Sequence, residues 1–193
     1  MREIKKSRKD RILTEALENV NALKTILYPT DTVWGIGGDA TQAEVVKKIV
    51  ALKKRAESKS LICLVNSLEM LQKYVLKIPE KALPYLESEH PTTIIYENPQ
   101  GLASNLVASD STVAIRIPKH AFLQKLIGQF GKPLISTSAN ISGTATPSCF
   151  QDIAPEILEE VDYVVPLEQD IKNKAASRIL KISSSGTVHV LRP

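Results

Sequence analysis

The chain of 193 residues carries only two cysteines, Cys63 and Cys149, with no CxxC spacing. A disulfide framework is therefore not expected, and both read as ordinary thiols. No run of eighteen apolar residues occurs, so no membrane-spanning helix is expected. The first ten residues, MREIKKSRKD, are charged where a secretory leader needs an apolar core. The compartment these absences imply is the cytoplasm, without membrane association. His90, His120 and His189 lie far apart with neither HxxH nor HExxH spacing, so no metal-ligating residues are expected. GxSxG is missing, which argues against a hydrolytic triad. GxxxxGK[ST] is missing too, so any ATP site must be built in another way.

What is present is an ordinary globular balance, 43% hydrophobic and 24% charged, at a length that suits one domain spanning 1–193. Twenty-five basic against 21 acidic side chains leave a net charge of +4. The excess gathers in MREIKKSRK and again at Lys47, Lys48, Lys53, Lys54, Arg55 and Lys59. Such a patch suits polyphosphate or nucleic acid, although a solvated helix face accounts equally well for the N-terminal cluster.

Apolar spacing predicts a helix over 11–24 and a short buried strand before Pro29. A glycine-rich turn is expected from Gly35, then a helix opened by a Thr41/Glu44 capping box and running to about Lys53. Strands are expected at 61–65, 92–96 and 112–117, with a start signal at Asn66 and Glu69 and a loop over 97–111. A helix carrying Phe122, Leu126 and Phe130 should stop at Gly131 and lead to a strand from Leu134. A helix at 151–160, a strand at 163–166 and a terminal hairpin, 177–182 and 187–191, close the pattern, which is that of an α/β protein.

Small polar and basic residues follow the apolar strands: Thr30, Asp31 and Thr32, then Arg116, then Ser136, Ser138 and Asn140. In an α/β sheet such positions line the ligand crevice, and hydroxyls beside Lys53, Arg55 and Arg116 suit an anionic, oxygen-rich ligand. The bland alternative is that Ser136 to Asn140 is a turn and cap. Gly35-x-Gly37-x-x-Ala40 matches a degenerate dinucleotide fingerprint, but Pro29-Thr30-Asp31 interrupts the strand before it and no acid closes the next one, so a nicotinamide site is not expected.

Four segments in this order and spacing resemble the threonylcarbamoyl-AMP synthase family, in its single-domain bacterial, YrdC-like form. They are Tyr28-Pro29-Thr30-Asp31-Thr32-Val33-Trp34-Gly35-Ile36-Gly37, Lys53-Lys54-Arg55, Ala114-Ile115-Arg116-Ile117-Pro118, and Gly131-Lys132-Pro133 through Ser136-Thr137-Ser138-Ala139-Asn140 to Gly143. The resemblance covers roughly residues 10 to 192. It implies an open twisted mixed sheet with surrounding helices and a basic concave cavity. It also implies no further C-terminal domain after Leu191-Arg192-Pro193.

The activity so implied is that of a nucleotidyltransferase. ATP, L-threonine and bicarbonate or CO2 give threonylcarbamoyl-AMP and diphosphate, for threonylcarbamoyladenosine at tRNA position 37. Lys53 and Arg55 are the implied catalytic pair. They join Arg116, Ser136, Ser138, Asn140 and Ser177 around the nucleotide, while Thr30, Thr32, Ser136 and Arg116 contact substrate. Mg2+ would ride on the ATP phosphates, and tRNA and downstream tRNA threonylcarbamoyltransferase proteins are the implied partners. An RNA-binding module without synthase activity is the alternative, disfavoured by the lack of an RRM aromatic pair, a KH loop or zinc-finger spacing. Three departures stand out: Ala56 where relatives have proline, Arg178 in the Ser177-Arg178-Ile179 segment, and no acidic-glycine stretch after Val161-Asp162.

Overall fold

The computed structural model describes residues 7–54, 61–173, 175–183 and 186–193. Helix α1 (Arg8–Asn21) opens on a capping box in which the Ser7 hydroxyl accepts from the Asp10 amide, and it buries Ile12, Leu13, Ala16 and Val20. The chain then enters β1 (Ile26–Tyr28), which Pro29 ends because proline has no amide to continue the ladder.

Three sequence expectations are corrected here. The segment from Gly35 is not a turn but a fully buried strand, β2 (Gly35–Asp39). Helix α2 (Ala43–Leu52) has no capping box, because Asp39 instead takes the Thr41 amide and hydroxyl at 2.8 and 2.6 Å and Gln42 becomes the cap residue. The helix after β3 (Ile62–Leu64), α3 (Leu68–Tyr74), is capped by Ser67 rather than Asn66, its hydroxyl accepting from the Met70 amide.

The remaining elements are α4 (Leu83–Glu87), β4 (Thr92–Glu97), β5 (Thr112–Arg116), α5 (Ala121–Phe130) and β6 (Leu134–Ser138), followed by α6 (Pro155–Glu160), β7 (Tyr163–Val164), β8 (Arg178–Ile182) and β9 (Val188–Arg192). The helix expected over 151–160 is split into a 3-10 turn at Phe150–Asp152 and α6, because Pro155 starts a new first turn. Gly131 ends α5 in the left-handed conformation at φ 74°, with its amide on the Ile127 carbonyl.

The nine strands form one open mixed sheet in the order β7-β1-β2-β6-β3-β5-β4-β8-β9. Strand β6 is antiparallel to both β2 and β3, so the serine-rich segment occupies the sheet centre beside the glycines. Those glycines exist for close approach. A Cβ on Gly37 would lie 1.9 Å from the Ile135 carbonyl and 2.7 Å from the Tyr28 hydroxyl, which itself donates to Ile135 O. Gly37→Ala is expected to lower the unfolding free energy by about 3 kcal/mol, because backbone cannot step aside for a methyl group. Urea denaturation measures it, and an unchanged midpoint would show that β2 and β6 can separate.

Candidate functional site

The site lies over one face of the sheet, across β2, β3, β5, β6 and β8, beside the segment that follows β1. Past Pro29 the backbone turns on hydroxyls. Thr30 Oγ1 donates to Val33 O at 2.8 Å and accepts the Thr32 amide at 2.9 Å. Its single proton is thereby spent, so the 2.9 Å contact between the two hydroxyls runs from Thr32 to Thr30. Thr32 Oγ1 in turn accepts from Arg116 NH2 at 3.3 Å. Arg116, only 2% exposed at the end of β5, also places NH1 2.8 Å from Asp31 Oδ1, and the other Asp31 oxygen accepts the Lys119 amide at 3.0 Å. Arg116 Nε is buried with no hydrogen-bond partner among the described residues.

A cavity of about 250 Å³ opens over these groups. Of the residues named from sequence it gathers Thr30, Thr32, Arg116, Ser136, Ser138 and Ser177. Thr137, Thr146 and Arg192 add to its polar lining, and among the described residues no carboxylate lines it. Arg192 forks Nε and NH2 onto the Ser177 carbonyl at 2.9 and 2.7 Å, while the Ser177 hydroxyl shares a 2.8 Å bond with Thr93. Burial, and then the positive charge of Arg116, press the pKa of Arg192 below its ordinary value. Two guanidinium groups facing one cavity, with no lining acid among the described residues, call for an anion.

Sequence reasoning missed Arg192 because its position depends on a bulge. Arg192 pairs with Ile179 and Val190 with Leu180, so Leu191 is the extra residue that turns β9 locally. Sequence alone shows only a Leu191-Arg192-Pro193 ending, with no local sign of the bulge that aims Arg192.

Lys53 and Asn140 stand behind the cavity rather than lining it. Lys53, the C-cap of α2 and 2% exposed, donates Nζ to the carbonyls of Ser138 and Asn140 and to Asn140 Oδ1 at 3.2 Å. The Ser138 hydroxyl also donates to Asn140 Oδ1, and Asn140 Nδ2 holds Thr144 O at 2.7 Å. A ligand that needs the Ser138 proton must therefore draw it from Asn140, which still keeps Lys53. Arg55 and Ala56 lie outside the described residues. The charge of Arg178 goes elsewhere, onto Thr92 Oγ1 at 2.8 Å and over the Tyr85 ring at 5.0 Å. Burial pushes the Cys63 thiol up to about 12, too high for a thiolate nucleophile near neutral pH. Among the described residues no helix is long and apolar enough to cross a membrane.

The family model for Sua5, YciO and YrdC proteins, described as "Telomere recombination", matches residues 18–193. The threonylcarbamoyl-AMP synthase of Pseudoalteromonas translucida is 34% identical over 146 residues, covering 74% of this chain and 78% of that protein. Among solved structures, P. abyssi Sua5 complexed with L-threonine superposes with a TM-score of 0.84 at 25% identity over 98% of this chain. This chain spans 55% of that longer one. E. coli YciO shares the fold with a TM-score of 0.82 at 20% identity, covering 97% of this chain and 90% of its own. The mixed sheet, the order of the four segments along it and the match over nearly the whole length agree, and the chain belongs to the Sua5/YciO/YrdC family.

Proposed function

We propose that this chain is a transferase that makes threonylcarbamoyl-AMP, a nucleotidyltransferase acting on ATP, L-threonine and bicarbonate or CO2. One observation carries the reading: Arg116 and Arg192 face a hydroxyl-lined cavity that, among the described residues, no carboxylate lines. Relatives that bear the synthase name support it, as does a Sua5 structure that holds L-threonine.

Threonine and CO2 combine as N-carboxythreonine, whose carboxylate oxygen attacks the α-phosphorus of ATP. The new C–O–P bond forms as the bond from the α-phosphorus to the bridging oxygen breaks, and diphosphate leaves with that electron pair. Neither reactant needs a protein nucleophile. The work is to hold two anions together and spread the developing charge. Arg192 takes phosphate oxygens through NH1, which makes no hydrogen bond to the described residues. Arg116 serves the reacting carboxylate and α-phosphate, the Ser136 and Ser177 hydroxyls serve substrate oxygens, and Arg55 adds positive charge. Lys53 acts through Ser138 and Asn140, whose geometry it fixes.

Mg2+ would neutralise charge on the departing diphosphate. The donor set suits an ion carried by phosphate oxygens and water, since among the described residues no carboxylate lines the first cavity. The product is a reactive mixed anhydride, and tRNA with its threonylcarbamoyltransferase proteins would consume it.

Diphosphate release should require ATP, threonine and bicarbonate together. Valine should be used with kcat/KM lower by about 10² or more, because a site that hydrogen-bonds a substrate hydroxyl leaves its own groups unpaired when that hydroxyl is absent. Release without bicarbonate, or equal use of valine, would overturn the reading.

A further inference from the structure

The Thr30-Asp31-Thr32 segment has a cavity on each side. Behind the one already described lies a second, also about 250 Å³, whose lining includes Asp31, Trp34, His120, Glu168, Ile171 and Lys172. At several times the roughly 30 Å³ of one water molecule, it has room for a small organic ligand. Its charges are of both signs. Glu168 is held by His120, Nε2 to Oε2 at 3.2 Å, with the Glu168 side chain still 41% exposed. Lys172, four residues further along the same loop, makes no hydrogen bond or ion pair to the described residues. Lys119 also borders the space, but its ammonium is turned away onto Glu89 Oε1 at 2.8 Å and Glu87 O at 3.1 Å. His120, which lines the cavity, has a buried Nδ1 with no hydrogen-bond partner among the described residues. Ile171 adds exposed apolar surface.

Two carboxylates argue against a simple anion here, and Lys172 argues against a simple cation. A small zwitterion satisfies both signs at once. We propose that the second cavity binds a free α-amino acid, its ammonium between Glu168 and Asp31, its carboxylate on Lys172 and its side chain against Ile171.

Asp31 makes this site consequential for the first one. It lines the second cavity, whereas its ion-pair partner Arg116 lines only the first. An ammonium beside Asp31 competes with the guanidinium for the same carboxylate, so occupancy behind the segment alters how Arg116 is held in front of it. By linkage, a ligand in the first cavity changes amino-acid affinity in the second by the same factor.

The inference needs none of the synthase chemistry, and its test uses binding alone. The full chain, labelled with 15N, is titrated without nucleotide with L-threonine and separately with L-alanine. The Trp34 indole and the Ile171 and Lys172 amides report on the second cavity, and the Ser177 and Ile179 amides report on the first. Both amino acids are expected to shift the second-cavity signals. Glu168→Lys should weaken that response at least tenfold, and so should Lys172→Glu at its exposed position, while the Ser177 and Ile179 response to threonine persists. Second-cavity signals that stay still with both amino acids, or shifts that neither variant reduces, would overturn the proposal. Shifts at Trp34 and Lys172 with none at Ser177 would support it while counting against threonine binding in the first cavity.

Discussion

Lys53→Ala is expected to lower kcat/KM for ATP by about 10² or more, equivalent to roughly 2.7 kcal/mol of lost transition-state stabilisation. It should also cost about 3 kcal/mol of stability, because the two carbonyls and one amide oxygen that the ammonium satisfies are left in a closed space. The reason is geometric. Lys53 caps α2 and is almost fully buried, and its Nζ holds the end of β6 through Ser138 O, Asn140 O and Asn140 Oδ1. Without it, the Ser138 hydroxyl is bound to an amide that keeps only its Nδ2 bonds to the Ile141 and Thr144 carbonyls. Lys53→Met keeps most of the volume and removes the charge, so it separates packing from the ammonium, and it should lose nearly as much activity as alanine. Lys54 is the control. It is exposed with φ 48°, and Lys54→Gly should leave activity unchanged while stabilising by up to about 1 kcal/mol through relief of the left-handed backbone. Diphosphate formation over a range of ATP concentrations and urea denaturation measure these effects. Near-wild-type values for both Lys53 variants would show that the buried ammonium is incidental.

The sequence made the elements legible where periodicity is strong and the punctuation unambiguous. Helix α5 runs from Ala121 to Phe130 and stops at Gly131 as apolar spacing and glycine chemistry require. The β-branched runs at 92 and 112 became β4 and β5, and the antiparallel terminal hairpin fell where Ser183 and Gly186 place it. Reading failed where a long-range contact decides. Gly35 to Asp39 carries little local strand signal, and contacts far along the chain explain why a buried strand is glycine-rich: Tyr28 and the Ile135 backbone against Gly35 and Gly37, Val45 and the Lys24 carbonyl against Gly38. Thr41 looked like a cap, but a buried Asp39 captured its amide and hydroxyl, and Asp39 in turn pairs with Lys132 at 2.9 Å.

The candidate site divides in the same way. Thr30, Thr32, Arg116, Ser136 and Ser138 could be named from sequence because small polar and basic residues stand out against apolar strands, although they meet over a sheet face rather than past converging strand ends. The layering of Lys53 behind Ser138, the aim of Arg192 through a bulge and the choice of Asp31 as the partner of Arg116 depend on distances of 84 residues and more along the chain, or on a register shift. No local pattern encodes those.

Arg116→Ala is expected to produce the largest loss of all, a fall in kcat/KM of about 10³ with roughly 4 kcal/mol of stability. The two losses have different origins and can be separated. Arg116 pairs with an Asp31 side chain that is 9% exposed, and the variant strands that carboxylate in a nearly closed space. The stability cost is chiefly this unpaired charge, so Asp31→Ala combined with Arg116→Ala should recover most of it. The Lys119 amide that also serves Asp31 is exposed and can turn to water. Activity should not recover, since the double variant still lacks the guanidinium that spans Asp31, Thr32 and the cavity. Arg116→Lys keeps one charge but cannot reach both neighbours as a planar fork does, and it should retain stability better than activity, with kcat/KM down by about 10². Thermal or urea unfolding of the single and double variants gives the coupling between Asp31 and Arg116, and diphosphate release gives the catalytic effect. A double variant that regained both stability and turnover would reduce Arg116 to a structural partner of Asp31, and the anion-binding reading of the cavity would then rest on Arg192 alone.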